Sequence, residues 1–206
     1  MKILLKASLI LLISCSQAQT SEERNVGGRC EGCEALLEYG SQKLNAVDTL
    51  PGFDDNEPKI HLSGIVFQKD GNTPAEDVII YIYHTDKKGI YDKGENPKGW
   101  ESRHGIYRGW VKTGDDGRYD FYTFRPASYP NTSINQHIHM TVKEPTTIPY
   151  YIDDIEFTDD PFMTEQKMNS QRNRGGSGIV TPAKTFAGPL LEIRRDIILG
   201  KNIPGY

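Results

Sequence analysis

His137 and His139, with one residue between them, are the pair in this sequence best placed to hold a metal ion. They belong to an alternating stretch, 137–143, that predicts a β-strand, and side chains two residues apart on a strand project from the same face. Two imidazoles on one face can chelate one ion, although a polar strand face gives the same pattern. No acidic residue directly beside the pair completes a two-histidine, one-carboxylate iron(II) site, but an Asp or Glu elsewhere in the chain could do so.

Two tyrosines on predicted loops add possible oxygen donors to this pair. Tyr129, followed by Pro130, lies eight residues before His137 at the end of a proline-bracketed loop. Tyr91 lies on the loop that leaves another predicted strand, 78–83. Each tyrosine could instead serve only in aromatic packing, which is the usual role of this residue type.

The elements that must position these residues are predicted to be β-strands. Periodicity near two, with β-branched and aromatic residues, marks the runs 60–67, 78–83, 108–113, 118–124, 137–143 and 190–199. The Asp116-Gly117 turn predicts that the third and fourth of these runs form a hairpin, and a short helix is predicted at 35–44. Short strands joined by long loops predict an all-β fold, an antiparallel β-sandwich of the transthyretin or immunoglobulin kind with functional loops.

The composition fits one globular domain. The chain has 206 residues, of which 36% are hydrophobic and 25% are charged. Its formal net charge of −4 argues against a nucleic-acid partner, because no net positive field attracts phosphates. Three cysteines are too few for a disulfide scaffold.

The N-terminus is predicted to be an export signal. Two lysines precede a short apolar run, 7–13, which is far below the roughly 20 residues of a membrane-spanning helix. The sequence at 12–15 resembles a bacterial lipobox, which makes 1–14 the signal peptide and Cys15 the lipidated first residue of a cell-envelope lipoprotein, on the periplasmic or outer-membrane side. Ordinary cleavage after Ala18, with a signal peptide at 1–18 and a secreted product, is the alternative. The protein is expected to touch a membrane only through this lipid anchor.

Residues 15–34 are predicted to be a tether that ends in a Cys-x-x-Cys pair, and 35–206 to be the folded domain. In an exported protein, the leading interpretation of Cys30 and Cys33 is a local disulfide. A zinc site would need two further ligands, and a thioredoxin-like redox motif would need a βαβ pattern, which does not follow.

The chain from about residue 62 to 161 resembles the intradiol ring-cleavage dioxygenases, the group of catechol and protocatechuate 3,4-dioxygenases. Each motif is weakly specific, and their common order is what indicates the family. The series is Leu62-Ser63-Gly64, Thr73-Pro74-Ala75, Gly89-Ile90-Tyr91, Arg108-Gly109, the run 113–121, the run 125–130, and His137-Ile138-His139.

This resemblance implies an iron(III) ion held by Tyr91, Tyr129, His137 and His139. It also implies that Tyr129 is the axial ligand that leaves the metal when substrate binds, and that O2 is used to cleave a catechol-type ring between its two hydroxylated carbons. Phenolate oxygens suit hard ferric iron, which supports this ligand set chemically. The competing hypothesis is a non-catalytic transthyretin-like sandwich that binds carbohydrate or a surface partner.

The sequence departs from the family pattern beside the ligands. Ile134 stands where members often have arginine, and Asp154 where they commonly have glutamine. The added carboxylate predicts a preference for uncharged or cationic catechols. Three arginines, 103, 108 and 125, could supply the missing cation, although the latter two could equally form structural ion pairs. The remaining histidines, 61, 84 and 104, are expected to be surface residues or satisfied strand residues.

Overall fold

The computed structural model describes residues 22–185 and 188–206. Within these ranges the chain forms β-strands and three short helices. The strands are β1 (Val47–Thr49), β2 (Lys59–Phe67), β3 (Ile79–Tyr83), β4 (Arg108–Lys112), β5 (Arg118–Phe124), β6 (His137–Lys143), β7 (Tyr150–Phe157), β8 (Ile179–Val180), β9 (Ala183–Lys184), β10 (Leu191–Arg194) and β11 (Ile197–Ile198). The helices are a 3-10 helix (Cys33–Tyr39), α1 (Glu101–His104) and α2 (Glu165–Asn169).

The strands form two sheets, and the all-β sandwich predicted from the sequence is confirmed. One sheet has the order β1-β5-β2-β10-β9, with β11 beside β2, and the other has the order β4-β3-β6-β7-β8. The pairs β2–β5, β3–β4, β3–β6 and β6–β7 are antiparallel. Parallel pairs also occur, among them β1–β5, β2–β10 and β7–β8, so each sheet is mixed rather than purely antiparallel.

The core lies between the two sheets because each contributes an alternating apolar face. On β2, Ile60, Leu62 and Val66 are fully buried, while His61, Ser63 and Ile65 are partly exposed. On β6, Ile138 and Met140 join the same cluster. This alternation is what a sandwich strand requires, and it turns the residues flanking Ile138 away from the core.

The predicted hairpin is wrong, although its turn is present. Gly117 N–H donates to the Gly114 carbonyl, yet β4 pairs with β3 and β5 pairs with β2. The turn therefore carries the chain from one sheet to the other. Local turn chemistry does not determine the partner of each strand, because strand pairing depends on apolar surfaces offered by strands that are distant in the sequence.

The predicted helix at 35–44 is a 3-10 helix that begins at Cys33 and ends at Tyr39. Gly40, with φ of 61°, follows it in a conformation that disfavours other residues. Ala35 and Leu36 are fully buried and form a second small apolar cluster with Tyr81 of β3. The helix therefore covers the outer face of β3, which explains why that strand is buried on both sides.

The described part of the predicted tether, 22–34, packs on the domain and is not a free linker. Arg24 forms a β-bridge with Thr147, Val26 is buried, and the Arg174 guanidinium donates to the Gly27 carbonyl at 3.0 Å. The signal peptide and Cys15 lie outside the described residues. Among the helices in the described ranges, none combines the length and the apolar character needed to cross a membrane.

Candidate metal centre

Strand β6 places His137 and His139 on one face, as their spacing predicts. Both are partly buried, and Ile138 between them points into the core. Tyr129 lies on the loop from β5 to β6, and Tyr91 lies on the loop that follows β3. The antiparallel pairing of β3 with β6 brings the start of the Tyr91 loop beside His139.

The four predicted ligands come together. The Tyr91 hydroxyl oxygen lies 2.5 Å from that of Tyr129 and 2.8 Å from His139 Nε2. The Tyr129 oxygen lies 3.1 Å from His137 Nε2 and 3.4 Å from His139 Nε2. The two Nε2 atoms are 3.2 Å apart. Two oxygen and two nitrogen donors thus converge on one point.

These separations fit one transition-metal ion. For metal–ligand bonds of about 2.0–2.1 Å, two donors at right angles lie about 2.9 Å apart. The observed separations, from 2.5 to 3.4 Å, bracket that value. Two phenol oxygens with two imidazoles form a hard, potentially anionic donor set, which suits ferric iron.

The Nδ1 atoms of both histidines, which lie on the side away from the convergent donors and are called the outer nitrogens, each have a hydrogen-bond partner. His137 Nδ1 lies 2.7 Å from the Asn135 carbonyl oxygen, which can only accept a hydrogen bond. His139 Nδ1 lies 3.1 Å from Asp154 Oδ1. Assigning the ring protons to Nδ1 satisfies both contacts and leaves each Nε2 lone pair directed at the convergent point.

Asp154 is the acidic residue that could complete a two-histidine, one-carboxylate site, since it forms a compact group with His137 and His139. Its oxygen approaches the outer nitrogen of His139, however, on the side opposite Nε2. The geometry therefore makes Asp154 the partner that orients His139, and the two tyrosines supply the oxygen donors.

Burial controls the charge of the donors when no cation is present. Burial, together with the hydrogen bond to Tyr129, raises the pKa of Tyr91 well above its usual value. Burial also raises the pKa of Tyr129, and burial with the neighbouring His139 lowers the pKa of His137. The phenols and His137 are therefore neutral at pH 7, and only a bound cation would ionise the phenols.

Asp154 is held in its charged form. Burial opposes its ionisation, but the adjoining His139, His137 and the buried Arg195 outweigh this effect and lower its pKa. Arg195 is 2% exposed and donates to the Asp153 carbonyl oxygen. The carboxylate can therefore accept a hydrogen bond from His139 Nδ1–H and increase the electron density at Nε2.

A cavity of about 300 Å³, called the main cavity below because Tyr91, Tyr129 and His139 all line it, opens onto the donors. In addition to Tyr91, Tyr129 and His139, it is lined by Glu31, Tyr83, Trp100, Arg103 and His104. A second cavity of about 280 Å³ shares Glu31, Tyr83 and His139, and a third of about 490 Å³ shares Tyr91, Arg103 and Tyr129. The donor cluster therefore lies at the junction of three open spaces.

Several of these lining residues were not predicted. Glu31 reaches the cavity because Cys30 and Cys33 form a disulfide, with Cα atoms 5.7 Å apart, whose loop lies beside the donors. Tyr83 and Trp100 stand outside the motifs considered in the sequence. The signal that could have found Tyr83 is its place at the end of β3, directly before the loop that carries Tyr91.

The three arginines that could supply the missing cation have different surroundings. Arg108 Nη1 lies 2.6 Å from a Glu38 carboxylate oxygen, and Arg125 forms two hydrogen bonds to Asp159. Both are therefore structural ion pairs. Arg103 lines the main cavity and pairs with Glu31 at 2.9 Å, with both side chains largely exposed.

Ile134 does not face the donors in this arrangement. It is 48% exposed and lines a separate cavity with Glu156 and Lys167. Asp154 contacts His139 and lines the second cavity rather than the 300 Å³ cavity, so its predicted repulsion of anionic substrates would act only on a group placed in that second space.

The remaining histidines are satisfied, as expected. His84 is fully buried, with Nδ1 2.8 Å from the Thr85 carbonyl oxygen and Nε2 2.6 Å from Thr123 Oγ1. His61 lies between two carboxylates on the other sheet. His104 Nδ1 lies 3.0 Å from the Tyr81 hydroxyl oxygen, but this histidine also lines the main cavity.

Comparisons with known proteins agree with this geometry. The chain matches the family model described as dioxygenase over residues 38–189. A curated relative, catechol 1,2-dioxygenase 1 of Acinetobacter lwoffii, is 35% identical over 86 residues. That match covers 42% of this chain and only 26% of the relative.

Solved structures share the fold at low sequence identity. The dioxygenase domain of a dioxygenase–carbohydrate-binding protein fusion from Streptomyces sp. SirexAA-E superposes with a TM-score of 0.56 at 21% identity. The superposition covers 79% of this chain and 94% of that one. An intradiol ring-cleavage dioxygenase from Tetranychus urticae gives a TM-score of 0.54 at 18% identity, over 76% of this chain and 85% of the other.

Proposed function

Because the chain belongs to the intradiol ring-cleavage dioxygenase family, we propose that it uses iron(III) and O2 to cleave catechol-type rings between their two hydroxylated carbons. The observation that carries this proposal is the convergence of four donor atoms from Tyr91, Tyr129, His137 and His139, beside an open cavity that three of these residues line. Both Nε2 atoms are free to bind because the outer ring nitrogens are held by Asn135 and Asp154.

These four residues would hold the ion. Two phenolates offset two of the three charges of ferric iron, and two neutral imidazoles complete the set, which limits the cost of holding a charge in a partly buried site. When bound, ferric iron supplies a Lewis acid that takes up the catechol oxygens and makes the ring reactive toward O2. Asp154 fixes the tautomer of His139, and the Asn135 carbonyl does the same for His137.

Tyr129 is the proposed base. A catechol must lose two protons to bind a metal through both oxygens. The Tyr129 phenolate would accept one of them, and solvent in the open cavity would accept the other. Tyr129 lies on a loop rather than on a strand, and its oxygen is close to both Nε2 atoms. Burial raises the pKa of Tyr129, so a proton taken up by its oxygen would be retained at pH 7.

The main cavity suits a small aromatic substrate. Its volume of about 300 Å³ is at the lower limit of the range of roughly 300–1,000 Å³ that is typical of small-molecule sites. Tyr83, Trp100 and His104 give it aromatic walls that can pack against a ring. A purely carbohydrate-binding or partner-binding sandwich would leave the four-donor cluster without a role.

The test of this proposal is oxygen consumption by the iron-loaded protein. Catechol and substituted catechols should each consume one O2 per ring opened and give a muconate-type diacid. With labelled O2, both oxygen atoms should appear in the product. His61→Ala is the matched control, because it removes a histidine on the other sheet. An iron-loaded protein that binds catechols and never consumes O2 would contradict the proposal and favour a binding role.

We also propose that the protein is an exported lipoprotein with Cys15 as its lipid-modified residue and a signal peptide at 1–14. The lipobox-like sequence at 12–15 supports this, and so does a disulfide between Cys30 and Cys33, since disulfides persist in oxidising compartments. Cys15→Ala should move the protein from the membrane fraction to the soluble fraction. A soluble wild-type protein that begins at Gln19 would instead indicate ordinary cleavage after Ala18.

A further inference from the structure

Tyr83 is an aromatic residue beside the donor cluster whose role is not explained by metal binding. It is the last residue of β3 and lies opposite His139 in the β3–β6 register. Its ring stacks on His139, with centroids 4.4 Å apart and planes at 24°. It also stacks on His104, with centroids 3.8 Å apart and planes at 4°. These contacts hold the Tyr83 ring in one orientation.

The hydroxyl of Tyr83 faces open space. Within 22–185 and 188–206 it makes no hydrogen bond to another residue, in contrast to the hydroxyls of Tyr81, Tyr91 and Tyr129. It is not an enclosed, unpaired group either, since Arg195 Nε is the buried side-chain atom that lacks a partner in the same ranges. Tyr83 lines the two cavities that share His139, so the residue borders the open space beside that donor.

A phenol hydroxyl in this place is a ready hydrogen-bond donor. A catechol held at the cluster through its oxygens carries negative charge on those oxygens. Hydrogen bonds to charged acceptors are roughly twice as strong as hydrogen bonds between neutral groups. Since the ring of Tyr83 is fixed on both faces, its hydroxyl can donate with little loss of side-chain freedom.

The neighbouring cation is less suited to this contact. Arg103 lines the same cavity, but it is paired with Glu31 at 2.9 Å and its side chain is 63% exposed. Ile134, at the position where the family often has arginine, contributes no polar group. The Tyr83 hydroxyl beside His139 would therefore supply part of the stabilisation of substrate charge that the missing arginine would otherwise give.

We propose that Tyr83 is a substrate-binding residue, whose hydroxyl donates a hydrogen bond to an oxygen of the catechol held at the four-donor cluster. This inference rests on the proposed function and extends it to a residue outside the metal ligands. It assigns Tyr83 two separable roles. The ring supports His139, and the hydroxyl recognises the substrate.

Tyr83→Phe separates these two roles, because it removes the hydroxyl and keeps the stacked ring. The iron-loaded protein is titrated with catechol in the absence of O2, and binding is followed by the change in visible absorption. The dissociation constant should rise by about tenfold, as expected for the loss of one hydrogen bond to a charged group. Iron content and the absorption of the substrate-free protein should stay as in the wild type.

Tyr122→Phe is the matched control. Tyr122 is a partly buried tyrosine on β5, and it stacks on His61 with centroids 4.6 Å apart. Its replacement should leave catechol affinity unchanged. With O2 present, Tyr83→Phe should raise KM for catechol by a factor similar to that of the dissociation constant, and a residue that acted only on the fold would not produce this match.

The outcomes separate the two claims. If Tyr83→Phe binds catechol as tightly as the wild type, the substrate contact is wrong and the proposed function stands. If Tyr83→Phe loses its iron, Tyr83 acts through His139 alone, and the substrate contact is also wrong. If the iron-loaded wild type binds no catechol at all, the proposed function fails and this inference fails with it.

Discussion

The two sheets of the sandwich each carry a histidine beside carboxylates, and the two clusters differ in what they leave free. On one sheet, His61 Nδ1 lies 2.6 Å from Glu192 and Nε2 lies 2.7 Å from Asp120, so both nitrogens contact acidic side chains. On the other sheet, His139 uses only Nδ1 for Asp154, and its Nε2 points toward His137 and two phenol oxygens.

The difference shows why one cluster can hold a metal and the other is a structural contact. The His61 cluster joins β2 to its neighbours β5 and β10, which cross-links the sheet. The His139 cluster leaves a lone pair unused and surrounds it with further donors. A histidine with one ring nitrogen hydrogen-bonded to the protein is an oriented ligand, whereas a histidine with both ring nitrogens hydrogen-bonded has no free lone pair for a metal ion.

The largest expected effect comes from removing a histidine on each side of this comparison. His139→Ala should lower the iron content of the purified protein by more than tenfold, because it deletes one of four ligands and unpairs Asp154. His61→Ala should leave the iron content unchanged. Metal analysis of both variants checks this. Equal iron content in the two variants would show that the convergent donors do not bind the ion.

A third histidine, His84, sharpens the comparison, because it is buried with neither carboxylates nor a metal beside it. Burial lowers its pKa from 6.5 to about 4. The unfolded chain therefore binds a proton below pH 6.5 that the folded protein does not bind. Proton binding by the unfolded chain lowers the free energy of unfolding. This effect is absent above pH 6.5 and should reach about 3 kcal/mol by pH 4.

The measurement is the free energy of unfolding by denaturant at pH 7.5, 6, 5 and 4, for the wild type and for His84→Asn. Because asparagine does not titrate, the two curves should run parallel at high pH and approach each other as the pH falls. A constant difference across the range would show that His84 titrates alike in both states.

Replacing the carboxylate partner of each histidine should have an intermediate effect. Asp154→Asn weakens the orientation of His139, and loss of such an outer partner typically costs about 10–100-fold in metal affinity. Glu192→Gln, the matched change beside His61, should cost nothing in metal affinity. Competition with an iron chelator measures both. A similar affinity in all three proteins would contradict the role of Asp154.

The smallest expected effect concerns Arg103 and Glu31 at the cavity. Their ion pair is exposed, and such pairs contribute at most about 1 kcal/mol, or about fivefold in affinity. Glu31→Gln should free Arg103 and lower KM for a carboxylate-bearing catechol by up to about fivefold relative to catechol itself. Arg103→Gln should change this ratio in the opposite direction. If both variants keep the wild-type ratio, the pair does not influence substrate charge.

Much of the fold could be predicted because most strands alternate clearly. The runs around Ile60 and Ile138 have the period of two that a sandwich face imposes, and they form β2 and β6. The continuous apolar run around Ile80 is typical of a strand buried on both faces, and it forms β3. The pairing of β4 and β5 could not be predicted in the same way. A turn signal describes four residues, whereas the choice of a strand partner depends on apolar surfaces distant in the sequence.

The donor cluster was visible in the sequence only as separate motifs. The resemblance to a family joined Tyr91 and Tyr129 to the His pair, and the register of β3 with β6 explains how they meet. Apart from Arg103, the cavity walls could not be foreseen. Glu31 and His104 arrive from a disulfide loop and a short helix, and their positions depend on packing that no local pattern encodes.

The most direct test of the central claim is the visible absorption spectrum of the aerobically purified protein, with its iron content measured on the same sample. Ferric iron held by two tyrosinates should give a red-brown protein with about one iron per chain and a broad charge-transfer band, which Tyr129→Phe should shift. A protein that remains colourless after reconstitution with iron would contradict the assignment of Tyr91, Tyr129, His137 and His139 as its ligands.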